Sequence, residues 1–320
     1  MTQNYIQEPP FCIQVELTHG CPLTCPFCAV SFYKDRNYRF MSLETAELFS
    51  QMLAESGWNP RIEFAMHGEP TMNPDWDKIV AIIRKNNPKL SMLMLTNGYQ
   101  CQNGKLEEVV DRFYDAGGNT IAIDMYHGKI SEDISNQDYA IWEALSYDGT
   151  FAPFNPHKRF TGKRLILIKD IRDNTSGTHH KFENHAGITG IDTENQNKVC
   201  VKPFREMGIC YDGTVNVCCC DFANECVIDN IHDVLSLDDI WNSELMLAYR
   251  RMLLSGNRKY RPCKGCNAVG NRIGLLPDKK GKQKDLIGKF SPYDEEAIIN
   301  RHPSEEHELV DVAKNRIKGI

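Results

Sequence analysis

Three cysteines within eight residues, Cys21, Cys25 and Cys28, limit what this chain can be more than any other feature. They stand in the run Thr18-His19-Gly20-Cys21-Pro22-Leu23-Thr24-Cys25-Pro26-Phe27-Cys28, a Cys-x3-Cys-x2-Cys spacing. Three thiolates suit a cubane of four irons in which one iron has no protein ligand. Such an iron can bind a small molecule through oxygen and nitrogen. Zinc or a set of structural thiols is the competing reading. A zinc site of this kind needs a fourth Cys or His at short spacing, and His19, two residues before Cys21, is badly placed to supply it.

Composition narrows the setting. The chain has 320 residues, enough for one large or two smaller domains. Its net charge of −6 argues against a nucleic-acid-binding surface. No apolar stretch is long enough to cross a membrane, and Met1–Pro10 lacks the apolar core of a signal peptide, so the expected location is the cytoplasm. Thirteen cysteines in that compartment are not a disulfide framework; their odd number and tight clusters point to metal.

Along the first two-thirds, short apolar runs alternate with helical patterns. Strands are expected at Phe11–Leu17, Arg61–Met66, Leu90–Leu95, Thr120–Met125 and Arg164–Lys169. Helices are expected after Ser42, at Trp76–Lys85, from Leu106 to Phe113 and around Asp138–Leu145. Repeated strand–helix units imply a parallel sheet with helices outside it. Active sites of such barrels lie at the C-terminal strand ends, which is where the cysteine loop falls. Five or six strands rather than eight predict an incomplete, open barrel. From about Lys198 the elements become short and cysteines cluster. Beyond Gly270 the chain is charged and free of cysteine, with a candidate amphipathic helix at Ser304–Ile317.

The cysteine loop resembles that of the radical S-adenosylmethionine (radical SAM) superfamily, and His67-Gly68-Glu69-Pro70, directly after the second strand, resembles that family's Gly-Gly-Glu-Pro motif. His67 replaces the first glycine, which puts the backbone contact at residue 67 in doubt. The resemblance implies an α/β fold: a partial (β/α)5–6 TIM-like barrel over residues 1–190. It implies that a [4Fe-4S] cluster on Cys21, Cys25 and Cys28 leaves one iron open to S-adenosylmethionine. Electron transfer from that cluster would split the cofactor to a 5′-deoxyadenosyl radical. Phe27 would lie near the adenine, and Gly68, Glu69 and Pro70 would bind the amino group. Asp124, at the end of the fourth strand, is placed near the ribose by position only. Arg164 and Lys169, on the fifth strand, are weaker candidates for the cofactor carboxylate or the substrate. Thr96-Asn97-Gly98 looks like a strand-end turn of the family, though such turns occur anywhere.

A second cysteine system follows. Cys200 precedes Asp212-Gly213-Thr214-Val215-Asn216-Val217-Cys218, and Cys263-Lys264-Gly265-Cys266 comes later. Tyr211–Thr214 reads as a hairpin turn with Gly213 at positive φ, bringing Cys200 and Cys218 together. Four thiolates complete a cubane with no open iron; a four-cysteine zinc site is the alternative. The pattern resembles the twitch domain, the short form of the SPASM domain, over residues 191–270, leaving 271–320 as a charged extension with a helical tail. It implies one auxiliary [4Fe-4S] cluster on Cys200, Cys218, Cys263 and Cys266. Cys219 and Cys220 adjoin a proposed ligand and would replace it if the register is one or two residues off. Cys12 and Cys101 read as buried apolar residues. His179, His180 and His185 read as surface or substrate-loop residues, and Lys279, Lys280, Lys282 and Lys284 as a solvated loop.

The resemblance therefore implies a radical SAM enzyme that abstracts a hydrogen atom from a substrate C–H bond. A closed auxiliary cluster suits taking the substrate's electron, giving a net oxidation, with a base to accept the proton. Asp221, Tyr126 and His127 are the candidates for that base. Alternatives are a redox-neutral epimerisation or bond formation, a maturase acting on a peptide or protein, and a non-catalytic iron–sulfur electron carrier or metal-binding regulator. Only about twenty residues precede Cys21, which tilts the expected substrate towards a small molecule such as a sugar, aminocyclitol or nucleotide. An external donor such as flavodoxin or ferredoxin would supply the electron.

Overall fold

Residues 8–126, 140–144, 162–168, 184–190, 197–268 and 289–301 are described by the computed structural model. Within them, β1 (Cys12–Val15), β4 (Arg61–Phe64), β5 (Ser91–Thr96) and β6 (Thr120–Asp124) form parallel neighbours in that order. Each begins within a residue or two of an expected strand. The helices between them also fall where their apolar spacing puts them. Ser42 caps α1 (Leu43–Ser56) by accepting from the Thr45 amide, and Gly57 closes it in the left-handed conformation. α2 (Trp76–Asn86) and α3 (Leu106–Asp115) follow β4 and β5.

The region around Asp138–Leu145 departs from expectation. Instead of a helix it holds a strand, β7 (Ala140–Ala144), at the far edge of the sheet. β8 (Arg164–Ile168) lies between β6 and β7 and pairs in parallel with both. Five residues with no strong local preference take the conformation that satisfies their backbone groups against β8. The tail expected to be helical at Ser304–Ile317, His127, His179, His180, Lys169 and the Lys279–Lys284 stretch lie outside the described residues.

The sheet does not stop at β1. β9 (Glu206–Ile209) pairs with β1 in parallel, and β10 (Thr214–Asn216) and β11 (Val227–Asn230) continue it in antiparallel fashion, making nine strands in the order β11-β10-β9-β1-β4-β5-β6-β8-β7. The cysteine-rich region is thus stitched to the barrel by backbone hydrogen bonds. Seven of these strands run parallel, and their two faces differ. Ile13, Val15, Ile62, Phe64, Met92, Met94, Ile121 and Ile123 point outward into one apolar core with Phe49 and Leu53 of α1, Ile79 and Ile83 of α2, and Phe113 of α3. The alternate positions face inward and include Arg61, Glu63, Arg164 and Glu206, all buried. Burying that much charge calls for pairing, and Arg61 donates to Glu63.

After β11, Ser236 and Ser243 cap α4 (Leu237–Trp241) and α5 (Glu244–Leu254). α6 (Pro292–Ile299) packs on α5, with Arg251 paired to Asp294. Among the described residues no helix is long and apolar enough to cross a membrane.

Candidate active site between two cysteine centres

The cysteine loop leaves the top of β1 and is clamped at its base. β2 (Thr18–His19) pairs with β3 (Arg39–Phe40), and a parallel bridge joins Gly20 to Gly68. The Gly20 amide donates to the His67 carbonyl at 3.1 Å, and the Glu69 amide to the Gly20 carbonyl at 3.0 Å. The backbone carbonyl of residue 67 thus ties the turn to the cysteine loop with histidine in place of glycine. Gly68 is different: a Cβ there would sit 2.1 Å from the Thr18 carbonyl oxygen, so only glycine permits the approach. From beyond Cys28, Arg36 donates to the Cys21 and Leu23 carbonyls, at 3.0 and 3.1 Å, and Ser31 to the Cys25 carbonyl.

Glu69 is buried and both of its oxygens are engaged. Oε1 accepts from the Thr71 amide and hydroxyl and from the Thr96 hydroxyl; Oε2 accepts from the Asn97 amide at 2.8 Å. Burial pushes its carboxyl above the usual value against the pull of these bonds. The glutamate thereby fixes the turn after β5, and that turn aims Asn97 at the loop: its Nδ2 donates to Cys21 Sγ at 3.1 Å. The Leu23 amide reaches the same sulfur at 3.4 Å. Burial pushes the Cys21 thiol up to about 12 and the Cys28 thiol to about 11. Bare thiols with such values stay protonated, and a bound cationic centre supplies what makes them thiolate ligands. Two N–H donors on one sulfur, in a half-buried loop of three cysteines, fit an iron–sulfur cluster with one face open.

The second centre gathers its thiols from three segments. Gly213 turns the β9–β10 hairpin at φ +85°, and a Cβ there would meet Asn230, His232 and Ile231 within 3 Å. Directly after β10, the sulfurs of Cys218, Cys219 and Cys220 lie within 4.8 Å of one another. The Cys220 thiol hydrogen bonds that of Cys266. Cys263 and Cys266 come from the turn beyond α5, held by Arg258, which donates to the Cys266 and Ala268 carbonyls. Cys200 is buried beside them, and burial pushes it to about 11. Cys219 also reaches Lys202, at 3.7 Å, and Glu206 of β9, at 3.6 Å. This set offers more sulfur than one cubane needs, and it is buried more deeply than the first.

His67 joins the two centres. Its backbone holds the first loop, while its ring, fully buried, reaches Nε2 to the Cys219 carbonyl at 3.0 Å. Phe222 covers the ring at 4.3 Å between centroids and also packs on His185 at 4.5 Å. His185 in turn accepts from the Ala29 amide, one residue past Cys28. The expectation that His185 is a surface or substrate-loop residue is therefore corrected: it is a half-buried strut between the loop and the second centre. The His67–Cys219, His67–Phe222 and His185–Ala29 contacts each span more than 150 residues of sequence and leave no trace in local spacing.

The other expected site residues separate into two groups. Phe27 is half-buried in the loop, Pro70 is buried behind Glu69, and Asp124 ends β6 at the same end of the sheet as the loop. Arg164 is not brought to them: it opens β8 opposite Thr120, to which it donates, at the other end of the strands. Of the candidate bases, Asp221 is buried and accepts from the Glu225 and Cys226 amides, a turn-forming role. Phe222 is a site residue that the sequence did not single out; Asn97, His67 and Cys219 stood in segments the sequence had marked, but their contacts to Cys21, to Cys219 and to Lys202 and Glu206 were not expected.

Known proteins resemble this chain in both cysteine-bearing regions. The model of the radical SAM superfamily matches residues 15–131, and that of an iron–sulfur cluster-binding SPASM domain matches residues 200–267. The chain is 22% identical over 260 residues to the S-adenosyl-L-methionine-dependent 2-deoxy-scyllo-inosamine dehydrogenase of Niallia circulans, covering 80% of this chain and 92% of that one. It is 26% identical to the GTP 3′,8-cyclase of Photorhabdus laumondii over 50% of this chain and 47% of that one. Among solved structures, BtrN in complex with AdoMet and 2-DOIA superposes with a TM-score of 0.62 at 22% identity, over 82% of this chain and 95% of that one.

Proposed function

We propose, from the premise that the chain belongs to the radical SAM superfamily and carries a C-terminal twitch-type iron–sulfur domain, that it dehydrogenates a small hydroxylated molecule. When its cofactors are bound, the first cluster and S-adenosylmethionine together supply a 5′-deoxyadenosyl radical that takes a hydrogen atom from the substrate. The residues do the rest. Cys21, Cys25 and Cys28 hold that cluster, with Asn97 and Leu23 donating to Cys21. The Gly68-Glu69-Pro70 turn receives the cofactor's amino group, Phe27 lies by the adenine and Asp124 by the ribose. Cys200, Cys218, Cys263 and Cys266 hold the auxiliary cluster, with Cys220 as the neighbour most able to replace Cys218.

The observation that carries the oxidation reading is the second centre itself. It is a buried set of at least four thiols, tied to the first loop through His67 and His185. A cluster with every iron ligated has no position for substrate and suits accepting an electron. The likeness over 80% of this chain to a dehydrogenase of an aminocyclitol supports the same reading and favours a sugar or aminocyclitol as substrate. Flavodoxin or ferredoxin is the expected donor, and a reducing compartment such as the cytoplasm suits both clusters.

The test is turnover of the reconstituted, reduced enzyme with C-deuterated aminocyclitols and sugars. Expected are one 5′-deoxyadenosine per product, deuterium in that nucleoside, and a product two hydrogens lighter than substrate. A product of unchanged mass overturns dehydrogenation, and stimulation by the macromolecular fraction of a cell extract alone overturns the small-molecule assignment.

A further inference from the structure

We propose that Glu16, His19 and His67 form a binding site for one divalent cation of the zinc class, set between the two cysteine centres. Each residue comes from a different piece of the fold. Glu16 follows the last residue of β1, His19 lies in β2 just before the cysteine loop, and His67 opens the Gly-Glu-Pro turn. One ligand atom from each lies within 4.8 Å of the others. His19 Nδ1 is 2.9 Å from Glu16 Oε1, and His67 Nδ1 is 3.6 Å from the same oxygen. Two ligands of a tetrahedral zinc at about 2.0–2.1 Å stand roughly 3.3 Å apart, between these two spacings.

The state of His67 makes the case. A carbonyl only accepts, so the 3.0 Å contact to the Cys219 oxygen places a proton on Nε2. Nδ1 has no hydrogen-bond partner, its side chain is 0% exposed, and it points at Glu16, also 0% exposed. In a neutral ring that sets a nitrogen lone pair against a carboxylate oxygen with no water to relieve it. A positive charge between them resolves the conflict. Glu16 and His67 are also oriented as ligands usually are. A ligating histidine donates its other N–H to a carbonyl or carboxylate, as His67 does to Cys219, and a ligating carboxylate is itself hydrogen-bonded, as Glu16 is by the Tyr211 amide at 3.1 Å. Tyr33 stacks on His19 at 4.8 Å and Phe222 covers His67, shielding the site. His19 is 13% exposed and gives the cation its entry. Two imidazoles and one carboxylate are a zinc-type donor set with a fourth position open.

The chemistry differs from that of the sulfur centres, and so does the experiment. The full chain, anaerobically reconstituted with iron and sulfide, is equilibrated with zinc and freed of excess. Metal analysis and zinc-edge X-ray absorption are then run on it and on His19→Asn and Glu16→Gln. Expected is about one zinc per chain with iron content unchanged, a nitrogen/oxygen shell at about 2.0–2.1 Å, and at least a tenfold weaker zinc affinity in each variant. His19 is the least buried of the three, so His19→Asn keeps the test valid if Glu16→Gln does not fold. Failure to retain zinc would mean that a proton alone occupies the gap and overturns the site. A sulfur shell near 2.3 Å, or zinc bound equally by wild type and His19→Asn, overturns it as well.

Discussion

The two cysteine centres solve the same problem in opposite ways. The first takes all three thiols from one loop, Cys21–Cys28, and fixes that loop from outside through Arg36, Ser31, Asn97 and the Gly20–Gly68 bridge. The second draws its thiols from residues 200 to 266 and needs a hairpin, a helix and a turn to bring them together. The first is half-buried and the second mostly buried. A local, exposed set leaves room for an exchangeable ligand. A dispersed, buried set leaves none and excludes water, as an electron acceptor requires.

The largest effect that bears on this contrast is expected from Cys25→Ala. It should abolish S-adenosylmethionine cleavage and lower the iron content from about eight to about four per chain. Undiminished 5′-deoxyadenosine formation would break the assignment of the first centre.

Gly68→Ala comes next. Its methyl group has no space against the Thr18 carbonyl, so the clamp must open. A loss of about 1–3 kcal/mol in stability and on the order of 100-fold in cleavage rate is expected, read by thermal melting and single-turnover assays.

The second centre is sharpened by paired serine variants. Cys218→Ser should remove about four irons, keep cofactor cleavage and stop substrate oxidation; Cys220→Ser should keep the irons. The reverse outcome would move the ligand by two residues, onto the thiol that hydrogen bonds Cys266.

Asn97→Ala should have the smallest effect. It removes an N–H donor from Cys21 and so disfavours the reduced, more negative cluster. The potential should fall by about 20–60 mV, the equivalent of one hydrogen bond of about 0.5–1.5 kcal/mol, measured by redox titration with electron paramagnetic resonance.

The same contrast accounts for what could be read in advance. Cys21, Cys25 and Cys28 were legible because their geometry is a spacing. β4, β5 and β6 were legible as apolar runs between capped helices. β7 was not, since Ala140–Ala144 has no decisive preference and becomes a strand only by pairing with β8. Arg164 looked like a site residue until its register put it at the far end of β8. The links from His67 to Cys219 and from His185 to Ala29 depend on chain segments far apart, and nothing in either segment announces the other.

The pairing of β9 with β1 sets a timetable for synthesis. When β1 and β4 have emerged from the ribosome, the other edge of β1 stays open until Glu206–Ile209 is made. At about 5–20 residues per second that interval is roughly 7–30 s. During it the nascent chain carries a bare strand edge beside its cysteine loop, an edge able to pair with a neighbouring chain. Iron delivered in that interval meets the whole Cys21–Cys28 set but, of the second centre, at most Cys200. On the proposed assignment the order of the strands sets the order of loading: the thiols of the Cys21–Cys28 loop are complete early in translation, those of the second centre only after β9 and Cys266 have been made.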